Sequence, residues 1–358
     1  MDDFRFQRLE QYRVGGSGDK MELRMPLPKT PDGKVNQRCP GPRCRPAVFQ
    51  LGNAPEERPQ AEPGRLRRLP GPGQTICPYC GHMAADEDFI APEDMEAIKK
   101  QIAWAAEREV ADFLKDTARD FNRRTPRSGF ISVRMDVKDN FRPRPTPWRE
   151  DLLRDLVCHL CGRRYGVYAI ALFCPDCGGP NLATHFSREL ALVTRQIEVA
   201  EQLRGEGKRE LAYRLLGNAH EDVLTALETC QKTVFSFLVG ERSEASEELR
   251  KKLGGNWFQN IYRARRAFAE LGFDPFENLR EEDLAFLELN IEKRHVVGHN
   301  LSVANEIYAE ATQDEQPGRT VQLLAEEILA FAAICGQVIQ HLDDRLPRNR
   351  ASCGEGAP

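Results

Sequence analysis

The chain has 358 residues, of which 41% are hydrophobic and 30% charged, and a formal net charge of -4 at pH 7. That length suits two or three domains, and that balance is ordinary for a globular protein and excludes a uniformly basic nucleic-acid coat. No apolar run approaches the roughly 18 residues a spanning helix needs, and the opening MDDFRFQRLEQYRVGGSGDK has no apolar core, so a cytoplasmic protein without a secretory leader is expected.

Residues 1–36, with Gly15-Gly16-Ser17-Gly18, form an N-terminal segment of weak pattern. A first cysteine module covers 37–82, with Cys39-x4-Cys44 and Cys77-x-x-Cys80-Gly81 separated by a Pro/Gly/Arg-rich loop over 53–75. Residues 83–150 hold a helix, a strand and a linker. The helix is predicted over 92–124 from Met95, Ile98, Ile102, Ala105, Ala106, Val110, Phe113 and Leu114, with Pro92 in its first turn. Alternating Ile131, Val133, Met135 and Val137 predict a strand over 129–138, and FRPRPTPW reads as the linker.

A second cysteine module covers 151–182, with Cys158-x-x-Cys161 and Cys174-x-x-Cys177. After residue 181 nearly everything reads as helix. A connecting helix is expected over 183–206, a helical bundle over 207–346 and a flexible tail over 347–358. The predicted helices run 185–203, 208–238, 256–271, 279–299 and 320–345. Asn256/Gln259 and Asn278/Glu281 are possible capping boxes. The last helix carries the stripe Val321, Leu324, Ile328, Phe331, Cys335, Val338 and Leu342, suited to near-parallel packing. The expected fold class is mainly α with small β: two zinc-ribbon modules plus a C-terminal up-down helical bundle. Charge divides the same way, since residues 1–180 are net basic and 181–358 net acidic.

Eleven cysteines are present, and eight of them fall in the four close pairs. A reducing compartment makes such pairs metal ligands rather than disulfides. Zn²⁺ takes four tetrahedral ligands, and each Cys-x-x-Cys-Gly turn points two thiolates to one side. Two structural zinc sites are expected, one from Cys39, Cys44, Cys77 and Cys80 and one from Cys158, Cys161, Cys174 and Cys177. Sequential pairing is favoured because it closes shorter loops. Phe49 after Cys44 and Tyr165 after Cys161, with a Cys-Pro-x-Cys-Gly close in both modules, suggest a diverged repeat. His82 is a competing ligand. Arg43, Arg45, Arg163 and Arg164 beside the knuckles, with Tyr165 and Tyr168, form a candidate nucleic-acid surface. Cys230 and Cys335 lie in helical stripes and read as core.

The remaining signal is Glu292-Lys293-Arg294-His295-Val296-Val297-Gly298-His299-Asn300, which holds two of the seven histidines. Arg294 follows Leu287 by seven and Ile291 by three, on the apolar face, where a charge needs a partner, an anion or an interface. His295 and His299 are one helical turn apart. Three readings stay open: a helix end with a structural Arg, a two-His metal pair, and a phosphodiester site in which Arg holds phosphate and His moves protons.

Arg294-His295-Val296-Val297-Gly298-His299 resembles the Arg-x4-His signature of the HEPN superfamily, helical domains that often act as metal-independent endoribonucleases. Glu228-Thr229-Cys230-Gln231-Lys232 matches the Glu-x3-Lys pattern on an earlier helix of those nucleases, and an ordinary ion pair is the alternative there. The whole chain also resembles a bacterial group that joins LPKTPDGK-to-RCPGPRC, CPYCG and CPDCG ribbons to such a tail. In that group the stretch here reading Ser302-Val303-Ala304-Asn305-Glu306 carries an acidic residue, and Asn305 stands in its place. The resemblance implies RNA cleavage at a homodimer interface, with Arg294, His299 and His295 catalytic and Glu228, Lys232 and Asn300 accessory. It implies no catalytic metal, with the ribbons selecting RNA or a partner. It also implies a toxin–antitoxin or phage-defence role, with an antitoxin or defence protein as a possible partner. The alternative is a non-catalytic scaffold that binds nucleic acid or protein through its ribbons and dimerises through the helices.

Overall fold

The computed structural model describes residues 7–17, 20–42, 44–55, 65–124, 134–138, 153–240, 247–299, 302–312 and 316–347. It is 55% helical and 11% strand, so the mainly α expectation with small sheets holds.

Both cysteine modules contribute to one four-stranded antiparallel sheet. Its strands are β3 (Val35–Arg38), β4 (Val48–Leu51), β7 (Arg154–Val157) and β8 (Arg164–Val167), in the order β3-β4-β8-β7. Two smaller antiparallel pairs are β1 (Arg13–Gly15) with β2 (Glu22–Leu23), and β5 (Gln74–Ile76) with β6 (Met83–Ala85). Each half of the main sheet is a hairpin with a cysteine pair at its turn. The halves meet with Phe49 opposite Val167, Gln50 opposite Gly166 and Leu51 opposite Tyr165. A second knuckle closes each half, between β5 and β6 in one and within the Phe173–Pro180 bridge in the other. The same hairpin-then-knuckle order in both is what a diverged repeat produces. Phe49, Phe89, Leu156, Tyr165 and Val167 are fully buried with the cysteines in one core, so the two modules stabilise each other. Within the second hairpin Gly166 leaves room for Leu153, since a Cβ there would lie 2.5 Å from that side chain.

A short helix α1 (Gln7–Glu10) packs on α2 (Pro92–Arg124), whose bounds match the prediction. The strand expected over 129–138 is not formed over residues 134–138. Asn122 instead brackets Met135 with two hydrogen bonds, at 2.9 and 3.0 Å, so the backbone groups a ladder would use go to a side chain. Residues 129–133 and the Pro-rich linker lie outside the described residues.

The second half contains α3 (Leu182–Gly205), α4 (Arg209–Gly240), α5 (Glu247–Lys251), α6 (Ile261–Ala269), α7 (Glu281–His299), α8 (Glu306–Thr312) and α9 (Ala325–Arg345). Helices α3, α4 and α9 pack on one another, and α7 packs on α4 and α9. The helix read as a connector therefore shares the main core, through Phe186, Val193 and Ile197. Leu172 and Phe173 of the second cysteine module enter the same core, where Phe173 meets Phe237 edge-on at 5.1 Å. Buried Asp343 at the end of α9 accepts the Leu182 N–H at 2.7 Å, capping α3 beside that module.

Three helix starts differ from expectation. The α6 cap is Asn260, whose side chain accepts the Arg263 N–H at 3.0 Å, while Asn256 accepts the Arg263 guanidinium. Asn278 reaches His341 at 2.8 Å instead of capping α7. Residues 320–324 are not helical. Val321 bonds back to Ser302 and packs in a separate small core with Val296, Ala304 and Tyr308, so the α9 stripe begins at Ile328. At α7 and α9 a distant partner outcompetes the local signal, while at α6 a nearer asparagine takes the cap. Cys230 and Cys335 are fully buried as expected, and burial pushes both thiols up.

Phe331 is fully buried and stacked on His220, with ring centroids 5.1 Å apart. Phe331→Asp will cost about 4 kcal/mol or more, since it leaves a cavity and an unpaired carboxylate. Thermal melting checks this, and an unchanged midpoint would remove the packing assignment.

Candidate metal centres and the helical signature

Cys39 and Cys44 leave β3 and enter β4, while Cys77 and Cys80 sit in the β5–β6 turn. The four thiols converge with Sγ atoms all within 4.8 Å, the closest being Cys44–Cys77 at 3.6 Å and Cys39–Cys80 at 3.7 Å. In the second cluster Cys161–Cys174 is 3.6 Å and Cys158–Cys177 is 3.8 Å. Tetrahedral thiolates around a metal at about 2.3 Å stand roughly 3.8 Å apart. Disulfide sulfurs stand at about 2.05 Å. Both sets therefore have the geometry of closed four-thiolate metal sites, with the sequential pairing expected.

Three knuckles share one local cause. Gly81, Gly162 and Gly178 adopt φ of +69°, +72° and +67°, and each donates its N–H to the carbonyl of the first cysteine of its pair. The left-handed conformation turns the backbone so that both thiols face inward. The Cys39–Cys44 knuckle is longer and differs: Cys44 N–H donates to Gly41 O at 3.1 Å. Amides of Gly41, Asp176 and Gly179 donate to Cys39, Cys174 and Cys177 sulfurs at 3.4 Å, which favours their thiolate form. The thiols also act on one another. Hydrogen bonds from the other three hold Cys80 and Cys158 well below the ordinary thiol range, while burial pushes Cys77 and Cys174 far above it. A bound cation is what would let all four ionise together. His82 is exposed and lies outside the cluster.

The knuckle surface is less open than the sequence suggests. Tyr165 is 0% exposed and its hydroxyl accepts the Asn181 amide at 2.8 Å, so it is no stacking platform. Arg163 lies 3.6 Å from the buried Asp176 carboxylate, which Arg68 also approaches at 3.8 Å. Arg45 bonds the Cys44 carbonyl at 2.7 Å, Arg164 is exposed, and Arg43 lies outside the described residues.

In the signature helix, Leu287, Asn290, Ile291, Lys293 and Val296 of α7 face inward. The most buried charge is Lys293, paired with Glu327 of α9 and donating to Gln322 O at 3.2 Å. Arg294 flanks that face with 17% of its side chain exposed, and its guanidinium donates to Glu221 of α4 at 3.3 Å. His295 is exposed. The α7 backbone continues through His299, but the His299 side chain and Asn300 lie outside the described residues. After it, Ser302 adopts φ +64° and donates its N–H to Val296 O at 3.2 Å, a left-handed conformation costing a non-glycine residue about 1–2 kcal/mol.

The structure brings neither Glu228 nor Lys232 to Arg294, nor to each other. The carboxylate that reaches Arg294 is Glu221, two turns earlier on α4. Asn305 donates nothing to this site: its side chain accepts the Tyr308 N–H at 2.8 Å at the start of α8. Sequence reasoning missed Glu221 and its neighbour His220, although His220 follows Leu216 by four within the buried stripe of α4. Asn290 likewise sits between Leu287 and Ile291.

His220 and Asn290 are fully buried and joined at 3.0 Å. Asn290 donates its amide to Phe286 O, leaving its oxygen as acceptor, so His220 carries its proton on Nε2. Its Nδ1 has no partner among the described residues. Burial first, then the Lys293 and Arg294 charges, lower its pKa to about 4 against the bond to Asn290. The unfolded chain then binds more protons than the folded one between pH about 6.5 and about 4. The stability this group contributes is whole above the upper value and is lost as pH falls through the window, by about 3 kcal/mol in all. Urea midpoints across that window will fall more steeply for wild type than for His220→Gln. Equal slopes would show that no neutral imidazole is buried there.

No helix among the described residues is long and apolar enough to cross a membrane. Comparison with family models, with curated proteins and with solved structures gives no match.

Proposed function

We propose that the chain is a metal-independent endoribonuclease of the HEPN type, with α3, α4, α7 and α9 as an up-down bundle and the two four-cysteine sites as structural zinc. The observation that carries the reading is the Glu221–Arg294 contact at 3.3 Å, which positions the arginine of the signature at the rim of α7 beside the exposed His295. Glu221 takes the place that the family pattern would assign to Glu228. Two copies of the signature would face each other in a homodimer.

In this reading Arg294 holds the scissile phosphate and offsets charge growing on its oxygens. His299 of one copy takes the proton of the ribose 2'-OH, the 2'-oxygen bonds to phosphorus, and the bond to the 5'-oxygen breaks. His299 of the other copy gives a proton to that leaving oxygen. His295 positions the phosphate. The products are a 2',3'-cyclic phosphate and a 5'-hydroxyl. The ribbons select RNA or a protein trigger, and growth arrest in a toxin or phage-defence setting is the output. Incubating the purified protein with a panel of RNAs and mapping product ends tests the reading.

The same ion pair favours one second reading. Arg294 is neutralised within a single chain, which a scaffold that only binds and dimerises also needs. Wild-type protein that cuts no RNA after release of any copurified partner would establish the scaffold instead.

A further inference from the structure

Helix α6 treats its surface charges unlike other long surface helices of the chain. On α2, α3 and α4, surface cations sit one turn from an acid: Lys99 with Glu96, Arg119 with Asp116, Arg195 with Glu198 and Arg214 with Glu210. Such i,i+3 and i,i+4 pairs are the inexpensive way to solvate a helix. Helix α6 buries Ile261, Ala264, Ala267 and Phe268 and turns Tyr262, Arg263, Arg265 and Arg266 outward. Arg263 and Arg266 are like charges one turn apart, an arrangement that costs stability, and the acid next along that face, Glu270, pairs with Lys252. Arg265 alone is neutralised, by Asp274 at 2.7 Å. Arg263 is held at 3.0 Å by the neutral Asn256, and among the described residues Arg266 makes no ion pair. Its guanidinium lies 6.0 Å over the ring of Tyr262, which is 68% exposed. This cationic face stands in the half of the chain whose net charge is negative.

We infer that the outer face of α6 is a docking surface for single-stranded nucleic acid, with Arg263 and Arg266 on successive phosphates and Tyr262 as a stacking platform for a base. Two fixed cations about one helical turn apart, with an exposed ring next to them at the start of the same face, offer both the charge and the aromatic surface that a single strand presents partners for. An acidic protein segment would use the charges and leave the ring without a role. The surface shares with the cleavage reading only the class of ligand and stands without it, since it includes no residue of the α7 signature.

Fluorescence anisotropy of the full chain with labelled oligo-U and oligo-dT of about 15 nucleotides tests the inference. Oligo-dT has no 2'-OH and cannot be cut by the proposed route, so its binding is read whatever becomes of the nuclease. Arg263→Gln with Arg266→Gln is expected to weaken binding at least about tenfold and to flatten the slope of log affinity against log salt by roughly 1.4, two contacts at about 0.7 each. Tyr262→Ala should weaken binding about fivefold or more with the slope unchanged, and Tyr262→Phe should restore it. Arg265→Gln, whose charge Asp274 already takes, should change little. Preference for oligo-U would point to RNA, and equal binding to the shared phosphate backbone. Three results would overturn the inference: no saturable binding to either oligonucleotide, an unchanged salt slope in the folded double variant, or displacement by polyglutamate as effective as by unlabelled oligo-U.

Discussion

Purified protein will carry about two zinc ions per chain, and Cys158→Ser will lose the second site and much of the fold around it. Removing one thiolate opens a closed tetrahedron. A structural zinc site is worth about 10–16 kcal/mol of binding at neutral pH, and that binding energy is folding energy. The damage should not stay local. Both sites share the β3-β4-β8-β7 sheet and one core, and Phe173, next to Cys174, packs against Phe237 of α4. Loss at the second site is therefore expected to weaken metal retention at the first and to lower the melting of the helices. Elemental analysis and circular dichroism read the two effects. Cys230→Ala is the control, because that thiol lies in the helical core and outside both clusters. Fewer than about one zinc per chain in wild type would sink both site assignments.

On the proposed nuclease reading, Arg294→Ala and His299→Ala will each abolish RNA cleavage while leaving fold and zinc content intact. The proton carrier is worth typically about 10²–10⁴ in rate. Arg294→Lys keeps the charge but loses the planar fork that grips phosphate, so it too will be impaired. Glu221→Ala will lower cleavage through the arginine it holds, and Glu221→Gln, which still accepts a hydrogen bond, should recover part of that loss. Glu228→Ala should have no comparable effect, because nothing joins that side chain to Arg294. Cleavage will persist in EDTA at concentrations that leave the buried cysteine sites loaded. Full activity in His299→Ala would keep a nuclease and discard this site.

Much of this protein was legible without coordinates where the determinants are local. Cysteine spacing specified both clusters and their sequential pairing, because three of the four pairs are Cys-x-x-Cys-Gly turns, which dictate their own backbone and the direction of their thiols. Apolar periodicity specified α2, α3 and α4 to within three residues, since one long stripe outweighs any end effect. Tertiary structure decided what depends on partners far along the chain. The joining of the two cysteine modules through one sheet and one core is visible only in the folded chain, because the β4–β8 ladder spans more than a hundred residues that no spacing rule crosses. The capping box at Asn278 failed for the same reason, its side chain reaching His341 on α9, whereas the one at Asn256 lost to Asn260 within the same short stretch. The candidate site shows the division most clearly. Arg294 was visible as a charge against an apolar stripe, but its counter-charge was not. Helices α4 and α7 can meet in many registers, and the packing of Asn290 on His220 selects the one that sets Glu221, not Glu228, against the guanidinium.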